Sequence, residues 1–174
     1  MNTTLKKNTN CSYCGAKFAE QVTYPRRCFT CYNDTFSSPS PVAVVLINVW
    51  DDGKIGSLIQ LRNIEPKRGC WAFSGGYMEN GETWEQTAAR EVMEEIGLES
   101  KPEDYSLLCV KTASSNGNLL IFGQLSYVVK SDKIKFEPND EVSMIKVIHS
   151  PIELAFPTHT EMLRKHFDPK PSLI

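Results

Sequence analysis

Glu91, Glu94 and Glu95, with Arg90 directly before them, place three carboxylates and one guanidinium within six residues. In a helix, residues three and four apart share a face, and Glu94 and Glu95 lie only about 100° apart, so the three carboxylates converge on one surface. Like charges at that spacing cost roughly 0.2 to 0.5 kcal/mol per pair, and a bound cation reverses the sign. Hard Mg²⁺ takes carboxylate and carbonyl oxygens and joins one or two carboxylates to substrate phosphates, so the cluster suits Mg²⁺ or Mn²⁺ bridging to a diphosphate. Arg90, four residues before Glu94, orients carboxylates by bidentate hydrogen bonds and takes a supporting role. Gly75 and Gly76 permit close backbone approach by metal or phosphate, and the Gly76 carbonyl offers one more oxygen ligand. Glu82, at the start of the same segment, suits the positive end of a helix dipole and reaches the same loop.

A second set of ligand-type residues lies near the start of the chain. Cys11-Ser12-Tyr13-Cys14 and Cys28-Phe29-Thr30-Cys31 are two CxxC knuckles, which supply four soft thiolates for one tetrahedral Zn²⁺. Four protein ligands close the coordination shell, so this zinc is structural and stabilises a module too small to fold alone. Cys70 and Cys109 sit in or beside apolar, strand-like segments and read as small buried hydrophobes. The histidines His149, His159 and His166 have no metal-like spacing.

The elements that must hold these residues follow from periodicity and punctuation. The β-branched run Val42 to Ile47 predicts a strand, stopped by Asp51-Asp52-Gly53, and Ser57 to Arg62 predicts the second arm of a hairpin. Trp71 to Phe73 reads as a short third strand before the paired glycines. Thr83 to Ile96 predicts a helix, with Ala88, Val92 and Ile96 as its apolar stripe and Gly97 as a left-handed stop. Strands are predicted again at Tyr105 to Thr112, Leu119 to Val129 and Val142 to Ile148, and a second helix at Thr158 to Phe167. The plan is a cysteine module with a short leading tail over 1–36, a Ser- and Pro-rich linker over 37–41, an α/β domain over 42–168, and a tail over 169–174.

A Glu-rich amphipathic helix is ordinarily just a solvated face. Here the order is Gly76, five residues, Glu82, seven residues, then Arg90-Glu91-Val92-Met93-Glu94-Glu95-Ile96-Gly97-Leu98, and it resembles the Nudix box at every defining position. That resemblance implies an α/β/α sandwich with a mixed sheet, and divalent-ion-assisted hydrolysis of a nucleoside diphosphate linked to another moiety. It implies Glu91, Glu94 and Glu95 as metal ligands, with Gly76 and Glu82 contributing. Glu141, before a late strand, stands where many relatives carry an acid that binds metal or activates water.

A zinc ribbon ahead of a Nudix domain resembles two branches. NADH pyrophosphatases, which include decappers of NAD-capped RNA, carry a Ser-Gln-Pro-Trp-Pro-Phe-Pro type motif where this chain has Thr112 to Leu119. Arg62 to Pro66 leading to Gly69-Cys70-Trp71, together with Phe136-Glu137-Pro138 and Leu154-Ala155-Phe156, resemble the FAD and ADP-ribose pyrophosphatase-like branch. Ser74 stands where a proline often precedes the paired glycines. The expected substrate is therefore FAD or ADP-ribose, with NAD(H) or a capped RNA end as the alternative; a non-catalytic nucleotide-binding or ribbon protein is the least favoured reading, because Glu91, Glu94 and Glu95 are intact. Candidate substrate contacts are Arg62, Trp71, Gly75 and Gly76, and the aromatics Trp71, Tyr77, Phe122 and Phe156 are candidates for ring stacking.

The rest of the composition bounds the context. Nineteen Lys and Arg against 21 Asp and Glu give no broad basic footprint for long polyanions. No apolar run approaches the roughly 20 residues that span a bilayer, and the polar start lacks a secretory core, so a cytoplasmic protein with no membrane partner is expected. Homodimerisation is implied by the family resemblance alone.

Overall fold

The computed structural model describes residues 9–18, 23–114 and 116–168. The expected tail over 169–174 and the first eight residues lie outside the described residues. The chain divides into two compact units between Pro39 and Ser40. In the first unit, β1 (Arg26–Arg27) pairs antiparallel with β2 (Asp34–Thr35); the Cys11–Cys14 knuckle precedes this hairpin and the Cys28–Cys31 knuckle forms its connection.

In the second unit, β3 (Pro41–Leu46), β4 (Asn48–Asp51), β5 (Lys54–Arg62), β6 (Trp71–Ala72) and β7 (Ser74–Tyr77) lead into α1 (Trp84–Ile96). Then follow β8 (Tyr105–Thr112), β9 (Leu119–Leu125), β10 (Val129–Lys130), β11 (Val142–Ile148) and α2 (Pro157–Phe167). These strands form two sheets, where the sequence predicts one. The first has the order β7-β3-β9-β8 and is mixed, because β3 runs parallel to β9 and antiparallel to β7. The second has the order β10-β4-β5-β11, with β6 also paired to β5.

The predicted hairpin is corrected by this split. The partner of β5 is β4, with Asn48 opposite Ser57, and the Val42–Leu46 run belongs to the other sheet. The chain crosses between sheets at Ile47, which is 1% exposed and anchors the bend in the core. A similar crossover ends β9 at Leu125, so Val129 joins β4 in the second sheet where one unbroken strand is predicted. Among the described residues, no helix is long and apolar enough to cross a membrane.

β3 is the hub because both its faces are covered. Ala43 and Val45 point into one apolar cluster with Ala88, Val92 and Ile96 of α1, whereas Val44 and Leu46 point into another with Met162 and Leu163 of α2. That is the period of two expected of a strand, and a strand buried on both faces reads as a continuous β-branched run. Each Val, Leu, Ile or Met side chain among them contributes roughly 1.5–3 kcal/mol on full burial.

α1 starts where a reciprocal cap satisfies its first donors. Thr83 Oγ1 accepts from the Gln86 N–H at 3.3 Å, and Gln86 Oε1 accepts from the Thr83 N–H at 2.8 Å. It ends at Gly97, whose φ of 67° is the left-handed conformation that glycine adopts without cost.

α2 buries His159 in a cage of Phe73, Phe122 and Phe156, with ring centroids 5.6, 5.6 and 5.0 Å away. The Phe73 N–H donates to Nδ1 at 3.4 Å, which fixes the neutral ring. Burial, and then the charge of Arg62, lower its pKa to about 3. The unfolded chain thus binds a proton that the folded chain refuses. The stabilisation is complete above about pH 6.5 and is lost as pH falls toward the folded value, at up to ~1.4 kcal/mol per pH unit. In urea unfolding between about pH 6 and pH 4.5, His159→Phe is expected to show a stability slope shallower by about one proton; equal slopes in the two proteins would refute the assignment.

Candidate functional site

The site is built on the border of the buried face of α1. Val92 and Ile96 point into the core, and Glu91 and Glu95, each one residue earlier, lie about 100° round the helix at its edge. The three carboxylates are therefore graded in depth. Glu95 is 4% exposed, the Glu91 side chain 11%, and the Glu94 side chain 60%.

Arg90 gathers the outer acids. Its Nε and Nη2 donate to Glu82 at 2.9 and 3.1 Å, Nη1 donates to Glu91 Oε1 at 2.7 Å and Glu94 Oε2 at 3.2 Å, and Nη2 also donates to the Tyr77 carbonyl at 3.1 Å. A guanidinium has five N–H donors, and all five are committed to the protein. Its role is to place carboxylates and the β7 end.

Glu82 is the counterpart of that fork. It also accepts from the Glu79 N–H at 2.9 Å and the Thr87 hydroxyl at 2.7 Å. Arg90 foremost, then these donors, hold its carboxyl down near 2. With four bonds received, the Glu82 carboxylate serves Arg90 in this arrangement, whereas the sequence expectation puts it on the metal.

Glu95 is pinned from the strands. Ser74 Oγ donates to its Oε2 at 2.5 Å, the Gly75 N–H donates to the same oxygen at 2.8 Å, and Gln60 Nε2 donates to Oε1 at 2.7 Å. Burial raises its pKa to about 7 against the opposing pull of those three donors. Gln60 and Ser74 are absent from the sequence expectations for the site. The replacement of proline by a hydroxyl at position 74 is the one signal that marks either of them.

The glycines make room for this packing. Gly75 has a φ of 144°, and a Cβ there would lie 2.1 Å from the Ala43 carbonyl across the β3–β7 pair. A Cβ on Gly76 would lie 2.2 Å from Glu91 Oε1. The Glu91 carboxylate thus rests directly on the Gly76 backbone.

Glu141 approaches from the other side. Asn139 Nδ2 donates to the Glu94 and Glu95 carbonyls at 3.3 and 3.2 Å, and its Oδ1 accepts from the Glu141 and Val142 N–H groups at 3.0 and 2.8 Å. Asn139 therefore clips the segment before β11 to the end of α1, another positioning role that the sequence reading misses. Burial raises the Glu91 pKa against the pull of Arg90, and the charges of Glu94 and Glu141 add to the rise. Glu141 is thus electrostatically part of the cluster.

The expected substrate residues divide. Arg62 Nε donates to the Pro66 carbonyl at 2.9 Å and its guanidinium lies 5.4 Å from the Phe156 ring centre, so it braces the β5–β6 loop. Trp71 is half-buried against the α2-side core, and its carbonyl accepts from the Ala155 N–H at 2.7 Å. Phe122 is fully buried and is a core residue, which removes it from the stacking candidates.

Among the described residues, the cysteines form the one group whose ligand atoms already stand in metal-binding order. All four Sγ atoms lie within 4.8 Å of one another, with Cys11–Cys31 at 3.7 Å and Cys14–Cys28 at 3.6 Å. A tetrahedron with metal–sulfur bonds of about 2.3 Å needs edges of about 3.8 Å. The Tyr13 and Thr30 N–H groups point at Cys11 and Cys28 Sγ, each at 3.4 Å, as donors that favour thiolates. The Cys14 N–H foremost pulls Cys11 down to about 6, and the Cys31 N–H lowers Cys28.

For the carboxylates, the fit is of another kind. Arg90 takes one oxygen each of Glu91 and Glu94, and among the described residues the second oxygen of each has no protein donor. Those oxygens and the glycine backbone form a hard-oxygen set of the type that holds a divalent ion.

Comparison with known proteins places this geometry. The NUDIX domain family matches residues 39–168. The NAD-capped RNA hydrolase NudC of Enterobacter sp. (strain 638) is 33% identical over 92 residues, covering 52% of this chain and 34% of that protein. NudC of Stutzerimonas stutzeri (strain A1501) is 30% identical over 109 residues, covering 60% and 37%. The chain thus spans about a third of the length of the curated relatives it matches. A NUDIX hydrolase from Nitrosomonas europaea has the same fold, with a TM-score of 0.67 at 20% identity over 93% of this chain and 92% of that one. So does the NUDIX domain of Shewanella oneidensis NrtR, solved with ADP ribose, with a TM-score of 0.63 at 19% identity over 77% and 90%. With the box residues gathered around Arg90 and the matched region covering every described position of the second unit, this chain belongs to the NUDIX family.

Proposed function

We propose that the chain is a cytoplasmic hydrolase that cleaves the diphosphate linkage of a nucleoside diphosphate joined to another moiety, with FAD or ADP-ribose as substrate and AMP as one product. The observation that carries this reading is the Arg90 fork, which sets Glu91 and Glu94 beside the Gly76 backbone with one oxygen of each facing no protein donor. Mg²⁺ or Mn²⁺ would be held by Glu91, Glu94 and the Gly76 carbonyl, with Glu95 as the buried third acid. When bound, the ion supplies neutralisation of phosphoryl oxygens and a lowered pKa for water. Glu141, exposed and close enough for its charge to raise Glu91, is the general base in this reading. Arg90 keeps the acids in register and does not touch substrate. Zn²⁺ is the ion assigned to the cysteine cage, where four thiolates leave no position open for chemistry. Homodimerisation is carried over from the family.

A second reading has NAD(H) or an NAD-capped RNA end as substrate, and it is favoured by the names of the curated relatives. Against it stands the segment Thr112 to Leu119, which closes the β8–β9 hairpin and lacks the Pro- and Trp-rich motif of that branch.

Product masses from a panel of FAD, ADP-ribose, NADH and NAD-capped RNA, incubated with Mg²⁺, separate these readings. AMP with FMN or ribose 5-phosphate supports the first; AMP with reduced nicotinamide mononucleotide from NADH, or nicotinamide mononucleotide with 5′-monophosphate RNA from the capped RNA, supports the second; an intact panel overturns both. Glu94→Gln is expected to lower turnover by at least about a hundredfold while the thermal midpoint changes little, since the amide keeps the shape of an exposed side chain and loses its charge. Gly76→Ala provides a readout without turnover. Mn²⁺ at about a hundred times its dissociation constant should stabilise the wild type by ~2.7 kcal/mol, and the added methyl, which displaces the Glu91 carboxylate, should abolish that shift. An undiminished shift in the variant would sink the assigned ligand set.

A further inference from the structure

The cysteine unit carries features that neither its metal nor the hydrolytic site uses. Phe29, Tyr32, Phe36 and Tyr13 are 89%, 69%, 68% and 64% exposed, four of the seven exposed aromatic side chains among the described residues. A module this small has little interior, so exposure alone decides nothing. The charges around the aromatics do decide. Residues 1–39 hold five Lys and Arg against two Asp and Glu, whereas residues 40–174 hold 14 against 19. A basic segment joined to an acidic domain is the local signature of a polyanion contact, invisible in the near-neutral total.

Geometry brings the two features together. A hollow of about 310 Å³ within this unit is lined by Lys17, Phe18, Arg27 and Phe29. On β1 successive side chains take opposite sides: Arg26 lies over the rings of Phe18 and Tyr24, at 5.3 and 4.4 Å from their centres, and Arg27 faces the hollow. Among the described residues no carboxylate pairs with Lys17 or Arg27. Phe29 and Tyr13 sit inside the knuckles, whose backbone is tied by N–H bonds to Cys28 and Cys11 Sγ. Rings presented on so fixed a backbone lose little freedom on contact with a ligand.

We propose that the cysteine unit is a docking face for single-stranded nucleic acid, with Lys17 and Arg27 holding phosphate in the hollow and Phe29 and Tyr13 stacking on bases. Single strands are favoured over duplex because stacking needs an open base face, which paired strands do not offer. A protein partner is the lesser match, because the hollow that Phe29 lines also holds two cations, Lys17 and Arg27. The inference concerns binding and stands independently of which linkage the other unit hydrolyses.

Anisotropy of a fluorescein-labelled single-stranded RNA of about a dozen nucleotides, titrated with the zinc-loaded full chain, provides the test. Binding is expected to weaken with salt at a log–log slope of about −0.7 per phosphate held, and the matching duplex should bind less tightly. Phe29→Ala and Arg27→Glu should each weaken binding about tenfold or more, with zinc content and dinucleotide hydrolysis unchanged. Should either variant lose zinc, Tyr13→Ala and Lys17→Glu are the substitutes, with the same expected loss. Absence of binding at low salt, or equal binding by zinc-replete variants, overturns the proposal. Concentration-dependent self-association that Phe29→Ala abolishes would also overturn it, by assigning the rings to contact between copies.

Discussion

The second unit depends on one constraint: several carboxylates must stand together on one helix without driving it apart. Arg90 meets it. Its planar fork pairs Glu82 through two nitrogens, and the remaining donors reach Glu91, Glu94 and the Tyr77 carbonyl. No other side chain supplies five donors in a fixed plane, and the compact ammonium of lysine would leave acceptors unmet. The same fork joins α1 to the end of β7, so the loop carrying the glycines and the helix carrying the acids share one anchor. Part of this network is buried, which makes losing one partner far more costly than an exposed ion pair would suggest.

Around that anchor, helix periodicity sets the depth of each acid. Ala88, Val92 and Ile96 fix which side of α1 meets β3, and this alone sends Glu95 inward, Glu91 to the border and Glu94 outward. An inward carboxylate is tolerable only with donors, and Ser74, Gly75 and Gln60 provide them. Those donors come from β7 and β5, which belong to different sheets. Glu95 thus sits where the two sheets and α1 meet, and the packing of the sandwich and the electrostatics of the site are one problem.

Much of this was legible in the sequence because its signals are local. The helix, its Gly97 stop, the acid spacing and the cysteine knuckles each lie within a few residues, where periodicity and ligand geometry operate. The split into two sheets was not legible, because a continuous β-branched run says that β3 is buried and not which strand pairs with it. Gln60, Ser74 and Asn139 were missed for a related reason. Each is a polar residue whose importance comes from a partner more than 20 residues away in the chain, such as Gln60 with Glu95 or Asn139 with the Glu94 carbonyl. Glu82 shows a related ambiguity, since the expected metal-site acid is here the acceptor of Arg90. Its spacing within the box is plain, but spacing does not tell a metal ligand from the partner of an arginine.

A cluster of carboxylates around one arginine carries no group that tells one nucleotide from another, so any choice of substrate must rest on the residues that flank it. Of the residues that flank it, several are already committed. Arg62 braces the β5–β6 loop through the Pro66 carbonyl, Phe122 is core, and Phe156 packs on His159. Tyr77 is 58% exposed, directly follows Gly76, and has its hydroxyl fixed by Asn118 Nδ2 at 3.0 Å. That bond ties the glycine loop to the β8–β9 connection, the segment where the sequence departs from the NADH-type motif. The Tyr77 hydroxyl is bonded to that connection while the acids are bonded to Arg90 and the strands, so a change in the connection reaches the ring before it reaches the acids.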